Sequence, residues 1–223
     1  MIELLLMDAD EFNKVELFEK AMDLVGECRR NRILKLRKQE SKNLSLAAGL
    51  LLRYAFFLAN EPSLYDEIVI SDNGKPFLPN QEYYFSLSHS GKFAICCFSD
   101  DPVGCDIEQI RENLPRFTKK IFTAEEEATF HSLTTKSEKA VFFFNLWTCK
   151  ESITKWMGKG IGYPFHIFSG MDGQNVKKTI YMEEKKLYLK SYLFEDYVVS
   201  ICAETQEFPR EMERLSSDIL MKN

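Results

Sequence analysis

Two stretches of the chain have the apolar spacing of buried helices, and each precedes segments that resemble strands. Residues 41–60 repeat apolar side chains at close to a 3.6-residue period, which predicts a helix. A second helical pattern covers residues 137–157, and we expect it to end at Gly158 or Gly160 because glycine commonly follows a helix. These two helices are the longest regular elements that the pattern predicts.

Strand patterns fill much of the remaining chain. Residues 1–7 are an apolar run, and residues 83–108 alternate as in a β-meander. Helices followed by strands therefore occur twice, which indicates an α+β fold of two similar halves, 1–105 and 106–223. The charged tail from Phe208 is predicted to be peripheral. Further strands are predicted at 165–168, 179–182, 186–193 and 197–203.

Composition narrows the class of protein. The 223 residues carry 29 basic and 34 acidic side chains, a net charge of −5, which argues against a nucleic-acid partner. The most apolar stretch, residues 44–59, is shorter than the ~20 residues of a membrane span. The N-terminus lacks the basic segment of a secretory signal. Six cysteines without a C-x-x-C pair suit free thiols in a reducing cytosol, so we expect a cytoplasmic protein without membrane contact.

The triplet D-I-E is the first candidate for chemistry. On a strand, Asp106 and Glu108 would point to one face while Ile107 packs into the core. Neighbouring carboxylates repel each other and are stabilised by a divalent cation, and oxygen ligands favour Mg²⁺. The alternative is an ordinary solvated strand face.

The segment W-T-C-K-E-S-I-T-K, residues 147–155, is the second candidate. Positions four apart share one face of a helix, so Glu151 could add a third oxygen ligand with Lys155 beside it for a phosphate. The alternative is a surface ion pair between Glu151 and Lys155, with Trp147 in the core.

Three further stretches could bind an anion. Residues 86–91, S-L-S-H-S-G, offer hydroxyls, an imidazole and the backbone N–H groups of a turn. Lys75 follows a glycine in a rigid G-K-P turn, and residues 29–38 concentrate basic side chains in an acidic chain. The structural alternatives are a hydroxyl-rich strand end, a turn with an exposed lysine and a solvated helix face.

The order and spacing of these motifs resemble the 4′-phosphopantetheinyl transferases of the long, single-chain type that activates peptide and polyketide synthetases. The resemblance implies a Mg²⁺-dependent enzyme that moves the phosphopantetheine arm of coenzyme A onto a serine hydroxyl of an apo carrier protein (acyl, peptidyl or polyketide) and releases 3′,5′-ADP. It also implies a monomer of two similar halves with pseudo-two-fold symmetry, antiparallel sheets packed with helices, and coenzyme A and the metal between them. The motifs run from Gly74 to Gly160 as G-K-P-x-x-P, F-S-L-S-H-S-G, V-G-C-D-I-E, F-T-A-E-E and W-T-C-K-E-S-x-x-K-x-x-G-K-G.

The resemblance also implies roles for single residues. Glu151 is the usual candidate for the proton acceptor of the attacking serine, and Glu126 is a second candidate. Glu126 also has a structural explanation, because Thr123 and Glu126 have the spacing of a helix capping box. The metal-binding carboxylates match Asp106, Glu108 and Glu151, the pyrophosphate lysine matches Lys155, and further contacts with coenzyme A match Lys75, Ser88, Lys150 and His89, the last facing the 3′-phosphate.

The chain departs from the family pattern at a position that concerns phosphate binding. Many long-type members carry arginine four residues before the glycine that corresponds to Gly49, where this chain has Ser45. We therefore expect the basic stretch to supply that phosphate contact through Lys35 or Arg37.

Two alternative functions use the same residues. One is a different Mg²⁺-dependent phosphoryl or nucleotidyl transferase, which would give no reason for the combined S-H-S-G and K-E-S-x-x-K motifs. The other is a module that binds coenzyme A or a carrier protein without turnover. The presence of all three carboxylates and Lys155 argues against loss of catalysis.

Overall fold

A computed structural model gives the fold and describes residues 1–71, 74–115, 120–159 and 162–222. The chain divides into two compact units. Unit 1 consists of Met1–Asp100 together with Pro209–Asn223, and unit 2 consists of Asp101–Phe208. Helices and strands are numbered below in chain order.

Unit 1 is built on a four-stranded sheet with helices packed against it. The strands are β1 (Ile2–Asp8), the short pair β2 (Val69–Ile70) and β3 (Pro76–Phe77), β4 (Tyr84–Ser90), β5 (Phe93–Ser99) and β12 (Glu213–Leu215). The helices are α1 (Val15–Met22), α2 (Glu27–Lys35), α3 (Gln39–Leu58) and α6 (Ser217–Leu220), with 3-10 helices at Ala9–Asn13 and Pro62–Glu67. The sheet order is β12-β1-β5-β4, in which β1 pairs antiparallel with β5 and parallel with β12.

Helix α3 is the centre of unit 1. One side packs against β1, β4 and β5, and other elements of the unit, α1, α2 and Pro62–Glu67, also pack on it. Leu46, Leu50 and Leu51 are at most 1% exposed, so the helix is buried well beyond a single apolar face. A helix that is covered on several sides must be apolar on several sides, and the sequence of α3 meets this requirement.

Unit 2 has its own four-stranded sheet, in the order β6-β11-β10-β9 and antiparallel throughout. Its strands are β6 (Val103–Gln109), the short pair β7 (Met171–Asp172) and β8 (Asn175–Val176), β9 (Thr179–Met182), β10 (Lys185–Phe194) and β11 (Tyr197–Ala203). Its helices are α4 (Ala124–Ser132) and α5 (Lys136–Met157), with a 3-10 helix at Phe165–Ile167. The expected strand at 165–168 is therefore a short helix.

The two units repeat one order of elements. In unit 1, β1 is followed by α3 and the β4–β5 hairpin, and β5 pairs with β1. In unit 2, β6 is followed by α5 and the β10–β11 hairpin, and β11 pairs with β6. This topology agrees with the predicted α+β class and with two similar halves, while the two-fold axis stays a prediction.

The C-terminal tail differs from the expected division at residue 105. Residues 209–223 belong with unit 1, because β12 pairs with β1 in the register Leu5–Glu213 to Met7–Leu215. Leu215 and Leu220 are buried in the unit 1 core. The tail is therefore part of the first unit and not a peripheral extension of the second.

The long helix of unit 2 has sharply defined ends. Thr135 and Glu138 form a capping box at its start, and Gly158 ends it in the left-handed region at φ +70°. Gly160, the other predicted end, lies outside the described residues. Among the helices that the structure describes, none has the length and apolar character needed to cross a membrane.

Candidate active site

The D-I-E strand lies directly under helix α5 in unit 2. Alternation along β6 places Gly104, Asp106 and Glu108 on one face and Ile107, which is fully buried, on the other. A Cβ atom on Gly104 would lie 2.0 Å from the carbonyl oxygen of Ser152 and 2.5 Å from the backbone nitrogen of Trp156. Glycine at this position therefore lets the helix backbone approach the strand on the face that carries the two carboxylates.

Helix α5 presents a lysine to the first carboxylate. Lys155 Nζ donates to Asp106 Oδ1 at 2.7 Å. The Asp106 side chain is 6% exposed and the Lys155 side chain 25%, so the pair lies mostly out of water. Burial is the largest single influence and lowers the pKa of Lys155, but the interactions with Asp106, Cys105 and Glu151 together outweigh it and raise the pKa of the ammonium above its usual value.

Glu151 is a second buried carboxylate beside Asp106. Burial, followed by repulsion from Asp106, raises the pKa of Glu151 to about 7. Its Oε1 atom is buried and has no hydrogen-bond partner among the described residues. A buried oxygen of this kind gains stability from a proton or a cation.

Glu126 and Lys150 form a second buried ion pair in the same unit. Lys150 Nζ donates to Glu126 Oε2 at 2.6 Å and to the backbone oxygens of Ile121 and Phe165 at 2.8 and 2.9 Å. Lys150 is 0% exposed and Glu126 is 2% exposed. Because the ammonium already makes three hydrogen bonds, the structure does not present Lys150 to a ligand, contrary to its predicted contact with coenzyme A.

The candidate residues of unit 1 lie on short turns and at strand ends. Ser88 and His89 are consecutive in β4, so their side chains point to opposite faces of the sheet; Ser88 is buried and His89 exposed. Lys75 is half-buried next to the β2–β3 pair, and its backbone N–H donates to Ser71 Oγ at 3.1 Å. Asp72 and Asn73, which precede the G-K-P turn, lie outside the described residues.

The basic stretch is divided between core and solvent. Arg29 packs against α3, since a Cβ on Gly49 would lie 3.1 Å from Arg29 Cγ, and burial lowers its pKa. Lys35, at the end of α2, and Arg37, in the connection to α3, are both exposed. Ser45 is buried in α3, and its Oγ has no hydrogen-bond partner among the described residues.

Unit 2, which carries the Asp106–Lys155–Glu151 cluster, matches a family of known proteins. The model described as the 4′-phosphopantetheinyl transferase superfamily covers residues 102–202. The 4′-phosphopantetheinyl transferase gsp of Aneurinibacillus migulanus is 35% identical over 165 residues, which are 71% of this chain and 68% of that protein. The chain belongs to the 4′-phosphopantetheinyl transferases.

Two other relatives bear the same family name. The 4′-phosphopantetheinyl transferase Sfp of Bacillus subtilis (strain 168) is 26% identical over 208 residues, 91% of this chain and 92% of that protein. The 4′-phosphopantetheinyl transferase AcpT of Escherichia coli (strain K12) is 35% identical over 105 residues, 45% of this chain and 53% of that protein. The chain is thus an enzyme that transfers the 4′-phosphopantetheinyl group, as the motifs predict.

The Mg²⁺ ion expected for such a transferase can be compared with the residues in place. Within the described ranges, no three or more Asp, Glu, His or Cys side chains form a group able to hold a metal. Glu108 is more exposed than Asp106, and its Oε2 lies 3.8 Å from Arg111 Nη2. The donors nevertheless suit Mg²⁺, because all three are carboxylates and Glu151 Oε1 is a buried oxygen without a hydrogen bond. The metal-ligand role of Asp106, Glu108 and Glu151 stays a prediction.

Some residues that shape this transferase site escaped the sequence-based reasoning. Gly104 is read as part of the V-G-C-D-I-E motif, yet only the packing shows why a side chain is excluded there. Ser200 pairs with Asp106 across the sheet, and its Oγ lies 2.8 Å from Thr148 Oγ1 of α5 and 2.9 Å from Ser191 Oγ. These buried hydroxyls join α5 to the strand beside Asp106, and isolated Ser and Thr residues carry no distinctive sequence signal.

Proposed function

We propose that the protein transfers the 4′-phosphopantetheinyl group of coenzyme A to a serine hydroxyl of an apo carrier protein and releases 3′,5′-ADP. The observation that carries this proposal is the buried cluster of Asp106, Glu151 and Lys155 in the segment that matches the family. Two carboxylates beside a lysine can serve a reaction that moves a phosphate-linked group and a proton.

The bond changes define what the residues must do. The serine oxygen forms a bond to the phosphorus that bears pantetheine, and the bond from that phosphorus to the bridging pyrophosphate oxygen breaks. The electron pair leaves with 3′,5′-ADP, and the serine proton must be accepted. Catalysis of such a transfer rests mainly on positioning and on stabilising the developing charge.

Glu151 is the proton acceptor in this proposal, directly or through a water molecule. Glu151 lies beside Asp106, and its buried Oε1 has no hydrogen-bond partner among the described residues, so this oxygen is available to accept a proton. Glu126 is less suitable, because its two oxygens accept from Lys150 Nζ, Thr123 N and Gly170 N at 2.6 to 2.9 Å. The contacts of Glu126 favour its structural interpretation over its role as the base.

Lys155 and the carboxylates divide the remaining work. Lys155 would balance the negative charge of the pyrophosphate, and Asp106, Glu108 and Glu151 would hold Mg²⁺. When bound, this ion offsets the charge that develops on the leaving group. In the absence of substrate, Lys155 compensates the charge of Asp106.

The unit 1 residues are assigned to the nucleotide end of coenzyme A. Lys75, Ser88 and His89, with Lys35 or Arg37, would contact its phosphates. Lys35 and Arg37 are exposed and available to an anion. We further propose that the enzyme acts as a monomer, as the family resemblance implies. We place it in the cytoplasm, since its six cysteines are not joined in disulfides.

Release of 3′,5′-ADP tests the reaction most simply. The protein is incubated with coenzyme A, Mg²⁺ and an apo carrier protein, and the nucleotides are separated by chromatography. We expect 3′,5′-ADP only when the carrier serine is intact, and none from the carrier Ser→Ala variant or in EDTA. Binding of coenzyme A without release of 3′,5′-ADP, tried across acyl, peptidyl and polyketide carriers, would favour a binding module.

The role of His89 has its own test. If the imidazole contacts the 3′-phosphate, His89→Ala should raise the KM for coenzyme A about tenfold, which is the loss of one charge-assisted contact. Dephospho-coenzyme A lacks that phosphate, so its KM should change little. Equal losses with both donors would contradict the assignment.

A further inference from the structure

The Lys150–Glu126 pair is the most completely enclosed charged group that the structure describes in unit 2. Lys150 Nζ donates to Glu126 and to two backbone oxygens, and Glu126 Oε1 accepts from Gly170 N at 2.8 Å. Glu126 Oε2 also accepts from Thr123 N at 2.9 Å as half of a capping box. Such pairs are costly to bury, so their hydrogen bonds must be complete.

The pair connects three segments that the sequence keeps apart. Lys150 lies in α5, and it holds the carbonyl of Ile121, just before α4, at 2.8 Å. It also holds the carbonyl of Phe165, while Glu126 holds the backbone of Gly170. One pair of side chains thus fixes the turn of α5 at Lys150 against residues 121–126 and residues 165–170.

That turn of α5 also carries the reaction residues. Glu151 is the next residue after Lys150, and Lys155 follows four positions later on the same helix. Side chains on one helix move together, so a rotation of α5 would shift both Glu151 and Lys155 relative to Asp106 on β6. Displacement of a reacting group by about 1 Å can lower a rate about 100-fold.

We propose that Lys150 and Glu126 are positioning residues for the transfer reaction, and that they act by holding α5 in the rotation that places Glu151 beside Asp106. This proposal rests on the proposed function of Glu151. It assigns Lys150 no contact with coenzyme A and Glu126 no role in accepting the serine proton. The two side chains act together, so removing either one should have the same effect as removing both.

A double-mutant cycle tests whether they act as one. The variants are Lys150→Met, Glu126→Gln and the two combined, assayed for kcat and for KM at a temperature where circular dichroism shows each to be folded. We expect each single variant to lower kcat at least tenfold with the KM for coenzyme A within about twofold. The combined variant should be no more than about threefold worse than the poorer single variant, because coupled residues are not additive.

Leu187→Ala is the matched control for loss of stability. Leu187 is fully buried in the core of unit 2 on β10, and its side chain forms none of the hydrogen bonds that the proposal uses. It should lower the melting temperature by several degrees, as large-to-small core changes do, and keep kcat within about twofold. If a single variant of the pair does not fold, kcat of the combined variant is compared directly with that of the wild-type protein. The combined variant is suitable because it buries no unpaired charge.

Other kinetic outcomes would overturn the proposal. A raised KM for coenzyme A with unchanged kcat in Lys150→Met would show a ligand contact. Loss of kcat in Glu126→Gln alone, or losses that multiply in the combined variant, would show independent roles. Variants of the pair that keep kcat when folded, as Leu187→Ala should, would show a purely structural role.

Amide hydrogen exchange supplies a readout that does not depend on turnover. In Lys150→Met, exchange should accelerate in residues 121–126, in residues 165–170 and in the α5 turn around Glu151 together. Leu187→Ala should not produce this joint change. Faster exchange in residues 121–126 and 165–170 with the α5 turn unaffected would contradict positioning, even if the wild-type protein failed to transfer phosphopantetheine.

Discussion

Helices α3 and α5 occupy the same place in the order of elements, yet they bury different chemistry. The buried positions of α3 are mostly aliphatic, as at Leu46, Leu50 and Leu51. Those of α5 include Lys150 and Glu151. The strands beneath them differ in the same way. Leu5 and Met7 of β1 join the core under α3, whereas the face of β6 under α5 carries Asp106 and Glu108.

The two units share one topology, but the buried residues under α3 mainly stabilise the fold, whereas those under α5 mainly serve the reaction. Buried aliphatic side chains stabilise unit 1 by roughly 1.5–3 kcal/mol each. The charged positions of unit 2 gain much less from burial, because each needs a partner to offset its desolvation. We therefore expect substitutions under α5 to affect activity first and those under α3 to affect folding first.

The largest expected effect comes from the carboxylate that faces Lys155. Asp106→Asn keeps the shape of the side chain but removes its charge, so we expect kcat to fall by about 10³-fold or more with unchanged circular dichroism. Asp8→Asn is the control, because Asp8 ends the corresponding strand of unit 1 and is held by Lys92 at 3.3 Å. Its kcat should stay within about twofold. Near-normal turnover in Asp106→Asn would show that the charged face of β6 under α5 does not serve the reaction.

A pair of glycine substitutions compares the two helix contacts. Gly104→Ala would press a Cβ against α5 backbone atoms at 2.0 and 2.5 Å, so we expect a loss of about 2–3 kcal/mol in the free energy of unfolding, together with lower kcat. Gly49→Ala in α3 meets only side-chain atoms, Arg29 Cγ at 3.1 Å and Val25 Cγ1 at 3.2 Å, and gains about 1 kcal/mol of helix propensity, so its net effect should be within about 1 kcal/mol. Equal losses in denaturant titrations would show that α5 is no more closely packed than α3.

Glu151→Gln should separate stability from activity in one residue. The pKa of Glu151 is raised to about 7 in the folded protein, so its charge destabilises the fold as pH rises from about 4.5 and does so fully above about 7. In EDTA at pH 8 the amide should stabilise the protein by on the order of 2 kcal/mol, or about 5 °C, and at pH 5 by much less. Activity should nevertheless be lost. A lower melting temperature at pH 8 would contradict the cost assigned to this charge.

The smallest expected effect concerns the two equivalent hairpins. The β4–β5 turn has Gly91 at φ +56°, and the β10–β11 turn has Glu195 at φ +51°. Because left-handed backbone favours glycine, Gly91→Ala should lower the free energy of unfolding by about 1 kcal/mol. Glu195→Gly should raise it by about 0.5–1 kcal/mol. Thermal unfolding checks both, and changes of the same sign would show that side-chain contacts outweigh the backbone at one of the turns.

Part of this picture could be predicted from the sequence for definite physical reasons. Apolar periodicity located α3 and α5, and strand alternation placed Asp106 and Glu108 on one face with Ile107 in the core. The motif order indicated the family that the comparisons confirm. Each of these features depends on residues close together in the chain.

Features that depend on distant contacts were not predicted. The return of β12 to β1 joins residues about 200 positions apart, so no local pattern indicates it. Lys150 resembles a ligand-binding lysine in the motif, and only its contacts with Glu126 and Phe165 show that it is enclosed. The sequence alone does not distinguish a buried lysine from an exposed one, because burial depends on which distant segments fold over the side chain.

Intact-protein mass spectrometry of an apo carrier protein tests the central claim most directly. The carrier is incubated with coenzyme A, Mg²⁺ and either the wild-type protein or its Asp106→Asn variant, with EDTA as a control. We expect the carrier to gain the mass of one phosphopantetheine with the wild-type protein, and none with the variant or in EDTA. The same gain with Asp106→Asn would contradict our assignment of the reaction to the charged face between α5 and β6.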